Sequence, residues 1–285
     1  MPVELDAAAY GAGDAFQAEK RTVFSREWLA LAHEGQLPAA GDFVSSTIGG
    51  WPVFAVRDAA GSVRAFRNLC RHQSMQVVEK PAGQCRELRC RYHGWTYDLQ
   101  GRFAGAPAPV APADAGSPDN HLHALPTVLA AGLVLFTLEP SPGAATLGAV
   151  GERLARLAGA APRHAGSFTT EVGANWKACI EHSLQDGDPA WHWPVLLARE
   201  HAGGIVIEQV MPRTFLRTRI VHHHLVAPDD TGGMPGTVQA RAEQAKAACE
   251  ALQAQRTAGV LAPPNGAVEG FHRILARAYA GDAGP

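Results

Sequence analysis

Cys70-Arg71-His72 and, after a gap of 17 residues, Cys90-Arg91-Tyr92-His93-Gly94-Trp95 decide how this chain is read. Each stretch offers one thiolate and one imidazole. Two thiolates plus two imidazoles is the donor set of a binuclear iron–sulfur centre with mixed ligation, two Cys on one iron and two His on the other. Structural zinc usually takes C-x-x-C knuckles, because one tight turn then delivers two sulfurs to one ion. Here each loop is mixed, C-x-H and C-x-x-H, which suits two irons with each loop contributing to both. A Cys₂His₂ zinc site is the alternative. Gly94 after the second His permits close backbone approach. Trp95 is placed to pack beneath the site and limit water.

The remaining composition is that of a globular protein with a real core. The chain has 285 residues, 46% hydrophobic and 18% charged, room for one large or two modest domains. A net charge of −2 gives no reason to expect a nucleic acid or an anionic membrane as partner. The N-terminus MPVELDAAAY lacks a basic region followed by an apolar one, so no signal peptide is expected. The longest apolar run, Val128 to Phe136, is too short to cross a bilayer. Five cysteines make no disulfide framework. Cys85, Cys179 and Cys249 read as free buried thiols, and a reducing cytoplasm is the expected location.

Working outward, residues 12–33 carry Phe16, Val23, Phe24, Trp28, Leu29 and Leu31 at helical spacing, so residues 1–40 are expected to form an N-terminal helical segment. From Gly41 the pattern turns to short strands broken by turns. Val53 to Val56 and Ser62 to Leu69 flank the turn Asp58-Ala59-Ala60-Gly61, and Thr96 to Leu99 enters a hairpin at Gln100-Gly101. These strands imply a small antiparallel β domain, residues 41–142, that holds both loops at one end. Residues 104–118 are Ala/Pro-rich and read as extended surface chain or linker. Residues 143–285 form a second unit. It has expected helices at Ala144 to Ala158, Asn175 to Leu184, Val238 to Thr257 and Ala267 to Ala280. Its expected strands are Ser167 to Val172, Gly204 to Val210 and Thr214 to Val226.

Asn68-Leu69-Cys70-Arg71-His72 and Arg91-Tyr92-His93-Gly94-Trp95-Thr96-Tyr97-Asp98-Leu99-Gln100-Gly101-Arg102 closely resemble the α subunits of Rieske non-haem iron ring-hydroxylating oxygenases. The resemblance runs upstream through Gly41-Asp42-Phe43 and Arg57-Asp58, and downstream to Asn175-Trp176-Lys177-x-x-x-Glu181. It implies an α+β chain, with a Rieske antiparallel β domain followed by a helix-grip (START-like) domain. It also implies trimers in which an electron passes from one subunit's cluster to a neighbour's mononuclear iron.

The departures from the family pattern carry equal weight. The family places an acidic residue and two iron-binding His after N-W-K-x-x-x-E. The corresponding positions here are Gln185, Asp188 and Trp193. The family's third ligand, an Asp early in a late helix, has only Glu269-Gly270 to match it. From Asn175 to Pro285 there are 111 residues, fewer than the family's catalytic domain usually has. The expectation is a degenerate, shortened catalytic domain without mononuclear Fe(II). The alternative is an atypical iron site around His182, Asp188 and His192. Asp188 and His192 stand at i,i+4, as do His182 and Asp186, and such pairs share a helix face. Against this, Asp188-Pro189 also looks like a helix start. His222-His223-His224 alternate on a strand and read as a polar strand face.

The expected function is thus a Rieske [2Fe–2S] electron-transfer subunit, with Cys70 and Cys90 on the inner iron and His72 and His93 on the outer, not catalytic alone. Its expected partners are a catalytic α-type subunit, in a trimeric or hexameric heteromer, and a ferredoxin or a flavin/iron–sulfur reductase. Its potential is expected toward the lower end of the Rieske range, roughly −150 to +300 mV. The alternatives are an active hydroxylase or demethylase using the atypical iron site, and a zinc-stabilised interaction module.

Overall fold

The computed structural model describes residues 5–139, 143–158, 162–260 and 264–281. The chain opens with α1 (Ala7–Gly11) and α2 (Gly13–Glu19), a π-helical turn (Lys20–Phe24), and β1 (Leu29–His33). Then come β2 (Asp42–Ile48), β3 (Trp51–Arg57), β4 (Val63–Arg67), β5 (Ala82–Gln84), β6 (Leu88–Arg89), β7 (Thr96–Tyr97), β8 (Phe103–Gly105), β9 (Ala124–Leu125), β10 (Thr127–Ala130) and β11 (Leu133–Phe136). After α3 (Gly148–Ala158) follow β12 (Arg163–Val172), α4 (Trp176–Gln185), β13 (Ala190–His192), β14 (Leu196–His201), β15 (Gly204–Thr214) and β16 (Arg217–Val226). The helices α5 (Gly236–Thr257) and α6 (Gly266–Ala280) complete the path.

The sheets are antiparallel throughout the described residues. The first large sheet has the order β5-β2-β3-β4-β9, and the small sheet β6-β7-β8 stands with it. Turn chemistry sets the registers. Gly49 and Gly50, at φ +56° and +77°, form the two-residue connection that lets Ile48 pair with Trp51, since a hairpin turn of this kind needs positive φ at both positions. At the next turn Asp58 accepts the amides of Ala60 and Ser62, each at 2.9 Å, and Arg64 at 2.7 Å. Phe54, Phe66, Leu88, Trp95 and Tyr97 fill the space behind the two Cys–His loops.

The second large sheet has the order β12-β16-β15-β14-β13. Helices α4, α5 and α6 pack with it around Trp176, Ile180, Cys249, Phe271 and Leu275. The fold is therefore α+β, a cluster-bearing β unit plus a second sheet with helices. The expected boundary after residue 142 falls in the 140–142 stretch, outside the described residues.

Residues 1–40 are not wholly helical. Leu29–His33 is a strand, buried at every position, and it pairs with β11 in a third sheet, β1-β11-β10. Its apolar run satisfies helical spacing and a doubly buried strand equally well, and tertiary pairing decides. The 104–118 segment is not a loose linker either. The Trp95 indole donates to the Val110 carbonyl at 2.8 Å, which folds the segment over the second Cys–His loop. The three His of β16 are not an exposed polar face. His222, His223 and His224 are all buried, because both faces of β16 are covered at these positions, with Phe168 stacked on His222, His164 against His223 and His201 against His224.

Buried charge ties the N-terminal helices to the last ones. Glu19 and Lys177 are both fully buried and form an ion pair. Glu19 also accepts the Trp176 indole N–H at 2.8 Å and the Tyr279 hydroxyl at 2.6 Å. Glu181 accepts Arg256 through Nε at 2.9 Å and Nη2 at 2.7 Å. It also bonds His272 at 2.9 Å and the Tyr10 hydroxyl. Burial pushes the Glu181 carboxyl up, but His272, Tyr10 and Arg256 outweigh it and hold it below the usual range. Asn175 caps α4, its side chain accepting the Lys177 amide at 3.0 Å.

Two expectations follow. Glu19→Gln strands the buried Lys177 ammonium and is expected to cost about 3–5 kcal/mol of stability, read by denaturant unfolding. His33, almost fully buried, is held down to about 4 by burial and by His164. The unfolded chain therefore takes up this proton near pH 6.5 and the folded chain only near pH 4. Stability is expected to fall by roughly 3 kcal/mol from this group as pH drops through that window. A flat profile between pH 6.5 and 4 would count against a neutral buried imidazole.

Candidate metal centre

The two Cys–His loops are built on one backbone plan. In the first, the Cys70 amide donates to the Met75 carbonyl at 2.7 Å, and the Ser74 amide donates back to the Cys70 carbonyl at 2.9 Å. In the second, the Cys90 amide donates to the Trp95 carbonyl at 2.8 Å, and the Gly94 amide to the Cys90 carbonyl at 2.9 Å. Ser74 and Gly94 hold the same place, four residues after the Cys, and both have positive φ, +55° and +74°. Asn68 closes the base of the first loop by accepting the amides of Val77 and Val78, at 3.1 and 2.9 Å. The β6–β7 pair, Leu88 opposite Tyr97, closes the second.

This plan separates the donors by depth. Cys70 and Cys90 are buried, whereas His72 and His93 are half-buried. The Nδ1 atoms of His72 and His93 lie 3.0 Å apart. Two imidazole nitrogens at about 2.1 Å from one tetrahedral metal are about 3.4 Å apart, so the two Nδ1 atoms stand within a few tenths of an ångström of a shared-metal spacing. Both thiols are free. Burial pushes the Cys70 thiol up. The Tyr97 hydroxyl and the His72 amide pull it down, and the neighbouring Cys90 pushes it up again, leaving it raised. A raised thiol pKa marks a site that favours thiolates only when a cation stands there. Among the described residues no three His, Cys, Asp or Glu side chains form a group for a metal ion. The donors at the loops come instead as a pair of sulfurs and a pair of nitrogens, as a binuclear group requires.

Three aromatic side chains surround the donors. Trp95 stacks on His72, with ring centroids 5.3 Å apart and planes 10° from parallel, and fixes that ring. Tyr92 leans on His93 at 4.0 Å and is 59% exposed. Tyr97 was not foreseen as a site residue. Its hydroxyl accepts the Arg71 amide at 3.0 Å and lies 3.1 Å from Cys70 Sγ. Once the sulfur is a metal-bound thiolate it has no proton to give, and the hydroxyl is the donor. The expectation of a low potential counted no such hydroxyl. The only signal for it was an aromatic residue seven places after Cys90, too distant for spacing alone to place.

The residues of the alternative iron site are dispersed. Asp188 is fully exposed, 3.9 Å from Arg153, at the edge of a cavity of about 350 Å³ that also presents Arg199, His201 and Glu208. His192 lines a separate, much smaller cavity beside Trp28 and Leu135. His182, half-buried on α4, lines neither. Burial holds both imidazoles below their usual value. Asp188 begins no helix; it leads into β13.

Comparison with known proteins agrees with the loops. Residues 27–127 match the Rieske [2Fe-2S] domain family. Over 103 residues the chain is 38% identical to the biphenyl dioxygenase subunit alpha of Paraburkholderia xenovorans (strain LB400), a match covering 36% of this chain and 22% of that protein. Over 98 residues it is 41% identical to the large oxygenase component of the 2,4-dinitrotoluene dioxygenase system of Burkholderia sp. (strain RASC), covering 34% and 22%. The match thus spans about a fifth of the length of these relatives. Among solved structures, the quaternary ammonium Rieske monooxygenase CntA in complex with L-carnitine superposes with a TM-score of 0.77 at 17% identity, covering 96% of this chain and 95% of that one. Naphthalene 1,2-dioxygenase from Rhodococcus sp. does so with 0.70 at 17%, covering 96% and 94%. These two likenesses show that the fold extends well beyond the matched residues.

Residues 27–127 are a Rieske [2Fe–2S] domain. Through it the chain is a homologue of the ring-hydroxylating oxygenase α subunits. No helix among the described residues is long and apolar enough to cross a membrane.

The matched loops give a test of opposite signs at equivalent places. Ser74→Gly relieves a left-handed residue and is expected to hold or raise stability within about 1 kcal/mol. Gly94→Ala adds left-handed strain and sets a methyl 3.1 Å from Pro107 Cγ, at an expected cost of about 1–3 kcal/mol. Denaturant unfolding of both variants checks the pair.

Proposed function

We propose that this chain is an electron-transfer component of a Rieske-type oxygenase. Cys70 and Cys90 hold one iron of a [2Fe–2S] cluster, and His72 and His93 hold the other. The convergence of the two Nδ1 atoms over two buried thiols carries this reading. When bound, the cluster supplies one-electron transfer between ferric and ferrous iron. The half-buried imidazoles are the exit side, their far ring edges turned toward an acceptor. Trp95 excludes water beneath them, and the Tyr97 hydroxyl favours negative charge on the Cys70 sulfur.

The electron leaves for a catalytic α-type partner subunit in a heteromer, a trimer or a hexamer, and arrives from a ferredoxin or a flavin/iron–sulfur reductase. Three positions support that destination. Where the family pattern has an acidic residue and two His, this chain has Gln185 ending α4, Asp188 in solvent and Trp193 in the core. Trp193 packs edge-on to Trp176 and Trp191, with centroids 6.5 and 6.1 Å apart, a structural role. On this reading no mononuclear Fe(II) belongs to this chain, and the compartment is the cytoplasm.

The second reading is an active hydroxylase or demethylase with iron near His182, Asp188 and His192; of these, only Asp188 lines the cavity of about 350 Å³. Metal analysis separates the two. About two irons per purified chain are expected, with Rieske-type visible absorption. A third iron that disappears in Asp188→Ala or His192→Ala would overturn the relay reading, and a colourless zinc protein would overturn both. Tyr97→Phe removes a hydrogen bond to the sulfur and is expected to lower the reduction potential by on the order of 60 mV, tenfold in a one-electron equilibrium. Protein-film voltammetry checks it.

A further inference from the structure

A cationic cleft lies where the two large sheets meet, and it runs up to the base of the first Cys–His loop at Asn68 and Gln76. Thr47 at the end of β2 faces Arg213, Arg217 and Arg219 from around the β15–β16 turn, across a space of about 690 Å³. Thr47, Arg213 and Arg219 also line an adjoining space of about 260 Å³, walled by Ser45, Ser46 and Gln76 among others.

The carboxylates nearby are already committed. Glu171 pairs with Arg219 at 2.5 Å and Glu79 with Arg91 at 2.5 Å. Arg213 and Arg217 have neither a hydrogen bond nor an ion pair among the described residues. Arg217 is exposed and solvated, the ordinary state of a surface arginine. Arg213 is different. It is half-buried; burial and then Arg219 disfavour its charge, while Glu171, which lines the same cleft, favours it. One carboxylate shared between two guanidiniums leaves the cleft with excess positive charge that an anion would offset. The five N–H donors of a guanidinium are arranged as a fork that fits an oxyanion edge. The Thr47 hydroxyl is a further donor on the opposite wall with no partner of its own among the described residues.

We propose that this double cleft binds a small multivalent oxyanion, held by Arg213 and Arg219 from one sheet and by Thr47 from the other. Inorganic phosphate and a compact di- or tricarboxylate share the required chemistry. The bound anion joins β2 of the cluster-bearing sheet to β15 and β16 of the second, so it stabilises the junction by mass action.

The experiment titrates the purified, cluster-loaded chain with inorganic phosphate, citrate or acetate at matched ionic strength, following the unfolding midpoint and the heat of binding. Phosphate or citrate is expected to bind saturably and raise the midpoint, with acetate far weaker. A preference for phosphate assigns an inorganic or phosphoryl group, and a preference for citrate a polycarboxylate. In Arg213→Gln the dissociation constant is expected to rise about tenfold or more, with the cluster's visible absorption unchanged. Thr47→Val is the second variant, should Arg213→Gln not fold, and is expected to weaken binding by a smaller factor. Absence of saturable binding by either anion overturns the proposal. So does an equal shift in wild type and variants, the mark of general salt exclusion.

Discussion

The cluster end of this molecule rests on one constraint: four donors from two loops must meet with the sulfurs inside and the nitrogens outside. The chain meets it by using one turn twice. Each Cys both donates its amide to the residue five places on and accepts the amide four places on. That closes a tight loop around the thiol and leaves the intervening imidazole on the rim. The left-handed residue at the fourth place makes the closure possible, as Ser74 in one loop and Gly94 in the other. Asn68, the β6–β7 pair and Trp95 then hold the two loops to each other and to the core.

The ligand types and their spacing were legible because metal chemistry is local. Four side chains of the right softness within 24 residues leave few alternatives. Turn residues were legible for the same reason, as at Asp58 to Gly61. What was hidden depends on distant partners. Leu29–His33 becomes a strand only because β11 is there to pair with it. His222 to His224 are interior only because side chains distant in sequence, among them Phe168 and His164, pack over them. The Tyr97 hydroxyl reaches Cys70 across a separation of 27 residues, and no periodicity announces such a contact.

The Asn175-Trp176-Lys177 run was legible as a marker and illegible as a mechanism. Asn175 caps α4, and its amide group also reaches the Phe215 carbonyl at 2.8 Å. Trp176 and Lys177 both reach Glu19, while Glu181 gathers Arg256, His272 and Tyr10. The motif is thus a set of anchors for buried charge. Its acidic member is held ionised by partners from α1, α5 and α6. That accounts for how this run keeps a structural task even where the positions after it differ from the family pattern.

The same anchors tie together parts of the chain that are far apart in sequence. The partners of Tyr10 and Glu19 lie 157 to 262 residues further along. The cluster-bearing sheet is threaded between the two halves of that network. α1, α2 and α6 therefore cover the same two buried carboxylates, Glu181 and Glu19. Loosening α6 uncovers groups that the N-terminal helices also depend on, so the two flanks of the cluster-bearing sheet are held as one unit.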